Sequence, residues 1–248
     1  MGAPDTLIDT DVLVIGGGAG GLLAALSAKR HGRPGTRVAL ADTATVGRTG
    51  HTAFSNAWSI VVFPDDDLDG TTREIISGND WMADQTLVAE VLAGSHARLK
   101  DLEAIELRYA DDRGHYDRKP TRGLDLARVM CPVGGGLEFC WRLRRALEVV
   151  GVRFLDRHFI TGLMRGDGER VVGAVGIHGR SGAFHAIRAR ATIVATNAIT
   201  FRPGFARDIT GTGTHHAYKA GAALRNAEFS YLRPGTPRFY FEGITHAI

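Results

Sequence analysis

The first spacing that can do chemistry is a run of six residues, Gly16-Gly-Gly-Ala-Gly-Gly21. Gly16, Gly18 and Gly21 satisfy G-x-G-x-x-G, with the small Ala25 one turn further on. Gly16 permits a tight turn, Gly18 lets a pyrophosphate approach the backbone, and Gly21 lets a following helix pack closely on a strand. The start of that helix, with Gly17, Ala19 and Gly20 in the same turn, offers N–H groups and a partial positive charge to phosphate. Asp42 follows Gly21 by 21 residues, at the distance where a carboxylate accepts both hydroxyls of an adenosine ribose. Such an acid favours an unphosphorylated ribose, hence NAD or FAD over NADP.

These residues need a strand before them, a helix after them and a second strand ending at the acid. The sequence supplies all three. Asp11-Val-Leu-Val-Ile15 is a short apolar run of the buried parallel type. Leu22 to Arg30 is helical, with Lys29 and Arg30 at its C-terminal end. Arg37-Val-Ala-Leu-Ala41 is the second strand, which makes a βαβ unit. Further on, the spacing predicts a helix over about 84–107, with Leu87, Val91, Leu92, Leu99 and Leu102 as its apolar residues, then a polar loop over 108–128. Gly134-Gly-Gly136 precedes a helix to about Val149, and a strand follows near Val152–Leu155. Val171–His178 and Ala183–Ile187 read as a hairpin around Gly179-Arg-Ser-Gly182. Ala191–Ala195 reads as a separate buried strand, and Gly211-Thr-Gly213 opens a last helix to about Leu224.

Composition sets the outer limits. The chain has 248 residues, with 44% hydrophobic and 23% charged, which excludes disorder, a coiled coil and a collagen-like repeat. The net charge is +3 with no run of five or six like charges, so neither a nucleic acid nor an anionic membrane is implied as partner. Val12–Ala28 is uncharged, but its five glycines and the preceding Asp5, Asp9 and Asp11 speak against a membrane span or signal peptide. Cys131 and Cys140 fit neither a disulfide framework nor a zinc pattern, which points to a reducing compartment and a cytoplasmic protein. Asp65-Asp-Asp67 reads as solvated surface, and adjacent His215 and His216 lack the spacing of a metal pair, so no metal is expected.

Later motifs choose between the two dinucleotides. Arg48-Thr-Gly-His-Thr52 follows the second strand, Ala195-Thr-Asn-Ala198 ends a late strand, and Thr210-Gly-Thr-Gly213 opens the last helix. Gly221-Ala-Ala-Leu-Arg-Asn-Ala-Glu-Phe229 comes next, and His158-Phe-Ile160 precedes the hairpin. In number and order, from about Thr10 to Glu242, these segments resemble the flavoprotein subunit family of fumarate reductase and succinate dehydrogenase. That family includes L-aspartate oxidase, ketosteroid dehydrogenases and the adenylylsulfate reductase α subunit. The resemblance implies an α/β, Rossmann-like FAD-binding domain of glutathione-reductase type, with a parallel sheet and a β-meander at about 168–190. It implies FAD contacts from Gly16 to Gly21, Asp42, Arg48, Thr49, Gly50, His51, Thr52, the Ile160 backbone, Ala195, Thr196, Asn197, Gly211, Thr212 and Gly213. The FAD-binding domain would span 1–242, with 243–248 the start of a capping domain.

The departures carry information too. Asn197 replaces a family glycine, and Thr212 replaces an acid. Tyr231-Leu-Arg-Pro-Gly235 places Arg233 where the family has a histidine, and Thr245 stands where it has a functional arginine. The resemblance therefore supports flavin chemistry more than dicarboxylate specificity, and no catalytic residue is assigned. Family members are about twice as long, which suggests a truncated or partial chain. His51 aligns with the covalent flavin histidine only through one additional residue, and aligns without a gap to alanine in the non-covalent branch. Non-covalent FAD is the reading taken, with covalent attachment at His51 as its alternative. The function expected is an FAD-dependent oxidoreductase with unknown substrate and electron acceptor and a partner subunit such as an iron–sulfur protein. An NAD-binding Rossmann dehydrogenase and a non-catalytic flavin module remain the alternatives.

Overall fold

The computed structural model describes residues 3–121, 123–196 and 211–228. The elements in chain order begin with β1 (Thr6–Ile15), α1 (Ala19–His31), β2 (Val38–Ala41), α2 (His51–Phe54), β3 (Ser59–Ile60) and α3 (Leu68–Ser77). They continue with α4 (Gln85–Glu103), β4 (Lys119–Thr121), β5 (Leu124–Met130), α5 (Gly135–Val149), β6 (Arg153–Leu155) and β7 (His158–Arg165). A 3-10 turn at Asp167–Glu169 precedes β8 (Val171–His178), β9 (Phe184–Val194) and α6 (Thr212–Lys219). By their internal contacts they divide into two compact units, one of residues up to Ser55 with Gly136–Leu224, the other of Asn56–Gly135 with the chain from Arg225.

The first unit is built on a six-stranded sheet in the order β6-β2-β1-β9-β8-β7. β6, β2, β1 and β9 are parallel, and β9, β8 and β7 continue as an antiparallel meander. The expected βαβ unit is present. Leu13, Val14 and Leu40 have no exposed surface, as fits a sheet covered on both faces. On one side α1 buries Leu22, Ala25 and Leu26 beside β1 and β2. A second cluster joins Ile8, Leu13, Ile15, Ala39, Ala41 and Leu155 to Ile160, Ala174, Ile187 and Ala189 of the meander. Burying each large aliphatic side chain there is worth about 1.5–3 kcal/mol.

Three differences from the sequence reading lie in this unit. The meander starts at His158, because His158–Arg165 pairs with β8 through two register shifts that hide the strand's alternation. β9 is one strand where two were expected. Arg188 and Arg190 point outward, and Arg188 reaches the Asp9 carboxylate of the paired strand at 2.6 and 2.9 Å. α6 ends at Lys219 rather than near Leu224.

The second unit holds a three-stranded antiparallel sheet, β3-β5-β4, with α3 and α4. Here the expected loop over 108–128 contains β4 and most of β5, and α3 went unread. Asp67 caps α3 by accepting from Gly70 N at 2.9 Å. Asp66 accepts from Phe63 N and pairs with Arg118, which holds its carboxyl below the usual range. The three aspartates at 65–67 thus include two that organise local structure. α4 buries Leu92 and Leu99, whereas Leu87 and Val91 are exposed.

Glu74 of α3 is the joint between helix and sheet. Its carboxylate accepts from Asp125 N at 2.5 Å, Leu126 N at 3.0 Å and Ala127 N at 2.7 Å. Burial pushes its pKa up, but the three N–H donors outweigh that and hold it below the ordinary value. A depressed carboxyl stabilises the fold above the unfolded pKa, about 4.3, and that stabilisation is lost as pH falls through the folded value. Glu74→Ala is expected to cost this unit about 1–2 kcal/mol at pH 7, after discount for solvent screening. Urea unfolding at pH 7 and pH 3.5 checks it: the gap between variant and parent should narrow in acid.

Candidate functional site

The carboxyl ends of three strands meet at one residue. Gly16 N donates to Ala41 O at 2.8 Å, and Ala195 N donates to Ile15 O at 2.8 Å. Gly16 has φ +112°, and a Cβ there would fall 2.5 Å from Ala195 O. A Cβ on Gly21 would lie 1.7 Å from Gly16 O, so α1 begins in direct contact with the end of β1. Gly18 is different. Its backbone is extended (φ −81°, ψ −170°), and a Cβ would meet only Thr52 Oγ1 at 3.4 Å. Among the described residues, packing therefore demands glycine at 16 and 21 but not at 18.

The N–H groups aimed there are mostly free. Ala19 N donates to Thr52 Oγ1 at 3.2 Å. Those of Gly18, Gly20 and Gly21 make no hydrogen bond among the described residues. Together with the positive end of the helix dipole they form a cradle for an anion.

Asp42 walls one side. Its Oδ2 accepts from Gly17 N at 2.6 Å and its Oδ1 from Ala44 N at 2.9 Å. The following loop is fastened back to the turn by Gly47 N, which donates to Gly17 O at 3.1 Å. Arg48 N and Thr49 Oγ1 both donate to Thr45 O, at 3.0 and 3.3 Å. Gly50 caps the short α2, which carries His51 and Thr52, and Gly136 N at the start of α5 holds Ser55 O at 2.9 Å. On the other side, a Cβ on Gly213 would fall 1.9 Å from Thr196 Oγ1, so the start of α6 meets the end of β9.

A glycine turn with this acid, beside a parallel sheet that runs into a meander, is a dinucleotide fold. The sequence matches the FAD binding domain family over residues 11–237. The chain belongs to that family. Among curated relatives it is 31% identical to the fumarate reductase flavoprotein subunit of Mycobacterium tuberculosis, covering 94% of this chain and 40% of that one. It is 25% identical to the Haemophilus influenzae fumarate reductase flavoprotein subunit, covering 92% and 39%. The chain thus spans about two fifths of the length of these relatives. In fold it resembles E. coli quinol fumarate reductase, with TM-score 0.84 and 23% identity over 95% of this chain and 41% of the other. It likewise resembles adenylylsulfate reductase from Archaeoglobus fulgidus, with TM-score 0.72 and 24% identity over 88% and 36%. The family decides for FAD over NAD.

The FAD binding domain brings together most of the residues expected from sequence: Gly16–Gly21, Asp42, the Arg48–Thr52 loop, Ala195, Thr196, Gly211 and Gly213. Arg48 and Thr212 are exposed, and Asn197 lies outside the described residues, as do Arg233 and Thr245. The Ile160 side chain belongs to the core cluster, and its carbonyl accepts from His216 Nε2 at 3.2 Å. His215 is exposed and His216 is half-buried.

Sequence reading missed the residues behind the loop. Val46 N donates to Asp156 Oδ1 at 2.8 Å, and Arg144 Nη1 donates to Val46 O at 2.8 Å. No spacing rule reaches across those separations. His158, named in the sequence only as the first residue of the segment before the hairpin, is buried and bonded through Nδ1 to Asp156 O and through Nε2 to His185, both at 2.9 Å. Burial, then the neighbouring histidine, lowers the pKa of His185.

The two kinds of glycine predict different failures. Gly21→Ala must push α1 off Gly16 O and should cost at least about 2 kcal/mol of stability. Gly18→Ala should stay within about 0.5 kcal/mol of the parent. Urea titrations of FAD-free protein separate the two, and equal losses would contradict the geometry.

Proposed function

We propose that this chain is the flavin-holding part of an FAD-dependent oxidoreductase, with the pyrophosphate against the N-terminus of α1 and the adenosine ribose on Asp42. The observation that carries this reading is the opening at Gly18, which no contact within the fold requires. The three free N–H groups around it are the donors a pyrophosphate needs. Asp42 would hold the ribose hydroxyls from the end of β2, where its carboxylate also keeps Gly17 and Ala44 in place. Thr49, Gly50, His51 and Thr52 would line the flavin side with Ala195, Thr196, Asn197, Gly211, Thr212 and Gly213. Arg48 would offset phosphate charge, and the backbone of Ile160 would meet the adenine.

When bound, the flavin itself supplies the hydride and electron chemistry. The chain's part is to hold that group, orient it and tune it by hydrogen bonds. Substrate, electron acceptor and an iron–sulfur or similar partner would come from outside the residues described. Among the described residues no helix is long and apolar enough to cross a membrane. Cys131 and Cys140 are unbridged, and burial pushes the Cys140 thiol up to about 12, so it is an inert packing residue. We place the protein in a reducing compartment, the cytoplasm.

The purified chain loaded with FAD should show a flavin spectrum, and Gly18→Val should lose it through a clash at the pyrophosphate. Asp42→Ala should weaken FAD by about 1–3 kcal/mol. Acid precipitation should leave the yellow colour in the supernatant, and His51→Ala should stay loaded. Colour that stays with the precipitate, and is lost in His51→Ala, would instead mean covalent attachment. Titration calorimetry showing NAD binding and no FAD binding would overturn the proposal.

A further inference from the structure

We propose that Arg144 and Asp156 form a positioning clamp that sets how tightly this domain holds FAD, by fixing Val46 and so the loop from Gly47 to Thr52 against the glycine turn. The inference rests on the cofactor reading above.

The clamp is assembled from elements far apart in the chain. Arg144 sits on α5, and Asp156 sits between β6 and β7. The guanidinium fork faces the carboxylate, Nη1 to Oδ1 and Nη2 to Oδ2, both at 3.3 Å. Its third nitrogen, Nε, reaches Glu148 Oε1 at 3.1 Å, and its Cζ lies 4.4 Å from the centre of the Phe154 ring. A guanidinium with all three nitrogens engaged and one face on an aromatic ring has little freedom.

Between them the two side chains take both polar backbone atoms of Val46. Asp156 Oδ1 accepts its N–H and Arg144 Nη1 donates to its C=O, each at 2.8 Å. Val46 is fully buried, and its Cα lies where a Cβ on Gly17 would come within 3.0 Å. The next residue, Gly47, donates to Gly17 O. The turn that carries Asp156 also backs the preceding residues, since Arg157 N donates to Ala44 O at 2.7 Å and His158 N to Asp42 O at 2.8 Å. The backbone is thus tied at Asp42, Ala44, Val46 and Gly47, four points within six residues. Neither Arg144 nor Asp156 belongs to the glycine fingerprint.

A loop already held in place needs no ordering when the ligand arrives, and preorganisation of this kind appears as affinity. Without the clamp, only the fraction of molecules with the loop correctly placed would bind, and the apparent Kd would rise by that factor.

The test compares the parent chain with Asp156→Asn, Arg144→Lys and the double variant. Asp156→Asn keeps an acceptor for Val46 N but loses the charge, and it serves if Arg144→Lys fails to fold. Three quantities are read: FAD Kd by quenching of flavin fluorescence, urea midpoint without FAD, and trypsin cleavage after Arg48 without FAD. Arg48 lies on a surface cleft of about 430 Å³ with Thr45, Trp141, Arg144, Arg145 and Glu148, open to the protease. Each single variant should raise Kd by about tenfold to a hundredfold and speed cleavage after Arg48. The double variant should bind no more weakly than the worse single one, because both act through Val46. A lowered urea midpoint with unchanged Kd would make the pair merely structural and overturn the clamp while the cofactor reading stands. A parent chain that takes up no FAD would overturn both.

Discussion

Everything at the site depends on how closely α1 approaches the end of β1. With no side chain on Gly21, the helix starts against the carbonyl of Gly16 and aims its first N–H groups past the carboxyl edge of the sheet. One added carbon would move the helix outward and take its dipole with it. The same approach fixes where Gly17 can lie, and therefore where Asp42 must reach to accept its N–H at 2.6 Å. The parallel pairing of β1 with β2 and β9 matters because it delivers three strand ends to that point. The meander matters because its turn at Asp156–His158 returns the chain to the loop behind Asp42.

What the sequence made legible follows from the range of the interactions. The glycine turn, α1 and β2 lie within about thirty residues, and each signal there is local: an apolar run, a glycine spacing, basic residues at a helix end. Long helices with a capping aspartate, such as α4 behind Asp84, were equally readable. Reading failed where the determinant is a partner elsewhere. β9 looks interrupted at Arg188 until Asp9 on the neighbouring strand is seen to pair with it. β5 looks like a polar loop until Glu74, 51 to 53 residues earlier, is seen to satisfy its N–H groups. Leu87 and Val91 sit at plausible spacing on α4, yet only contacts in space could show that its buried positions are Leu92 and Leu99.

The candidate site divides in the same way. Residues that would touch a cofactor were readable, because the chemistry of phosphate and ribose recognition restricts residue type. Gly18 illustrates this, since among the described residues a Cβ there would meet only Thr52 Oγ1, at 3.4 Å, and packing does not call for glycine. The residues that hold those in place were not readable. Arg144 and Asp156 are an arginine and an aspartate on the surface of any sequence plot, and only their convergence on Val46 gives them a role.

That convergence has a consequence for folding. Val46 and Asp156 are 110 residues apart, and Val46 and Arg144 are 98 apart. Contacts of such separation carry a large loop-closure cost and form late. The local βαβ unit can therefore be in place while the loop over Asp42 and Gly47 is still open. A ligand that binds only the closed arrangement adds RT ln(1 + [L]/Kd) to its stability, about 2.7 kcal/mol at a hundredfold excess over Kd. On the clamp proposed above, FAD and the Arg144–Asp156 pair would act on one equilibrium, the placing of this loop. Whatever weakens one makes the structure lean harder on the other.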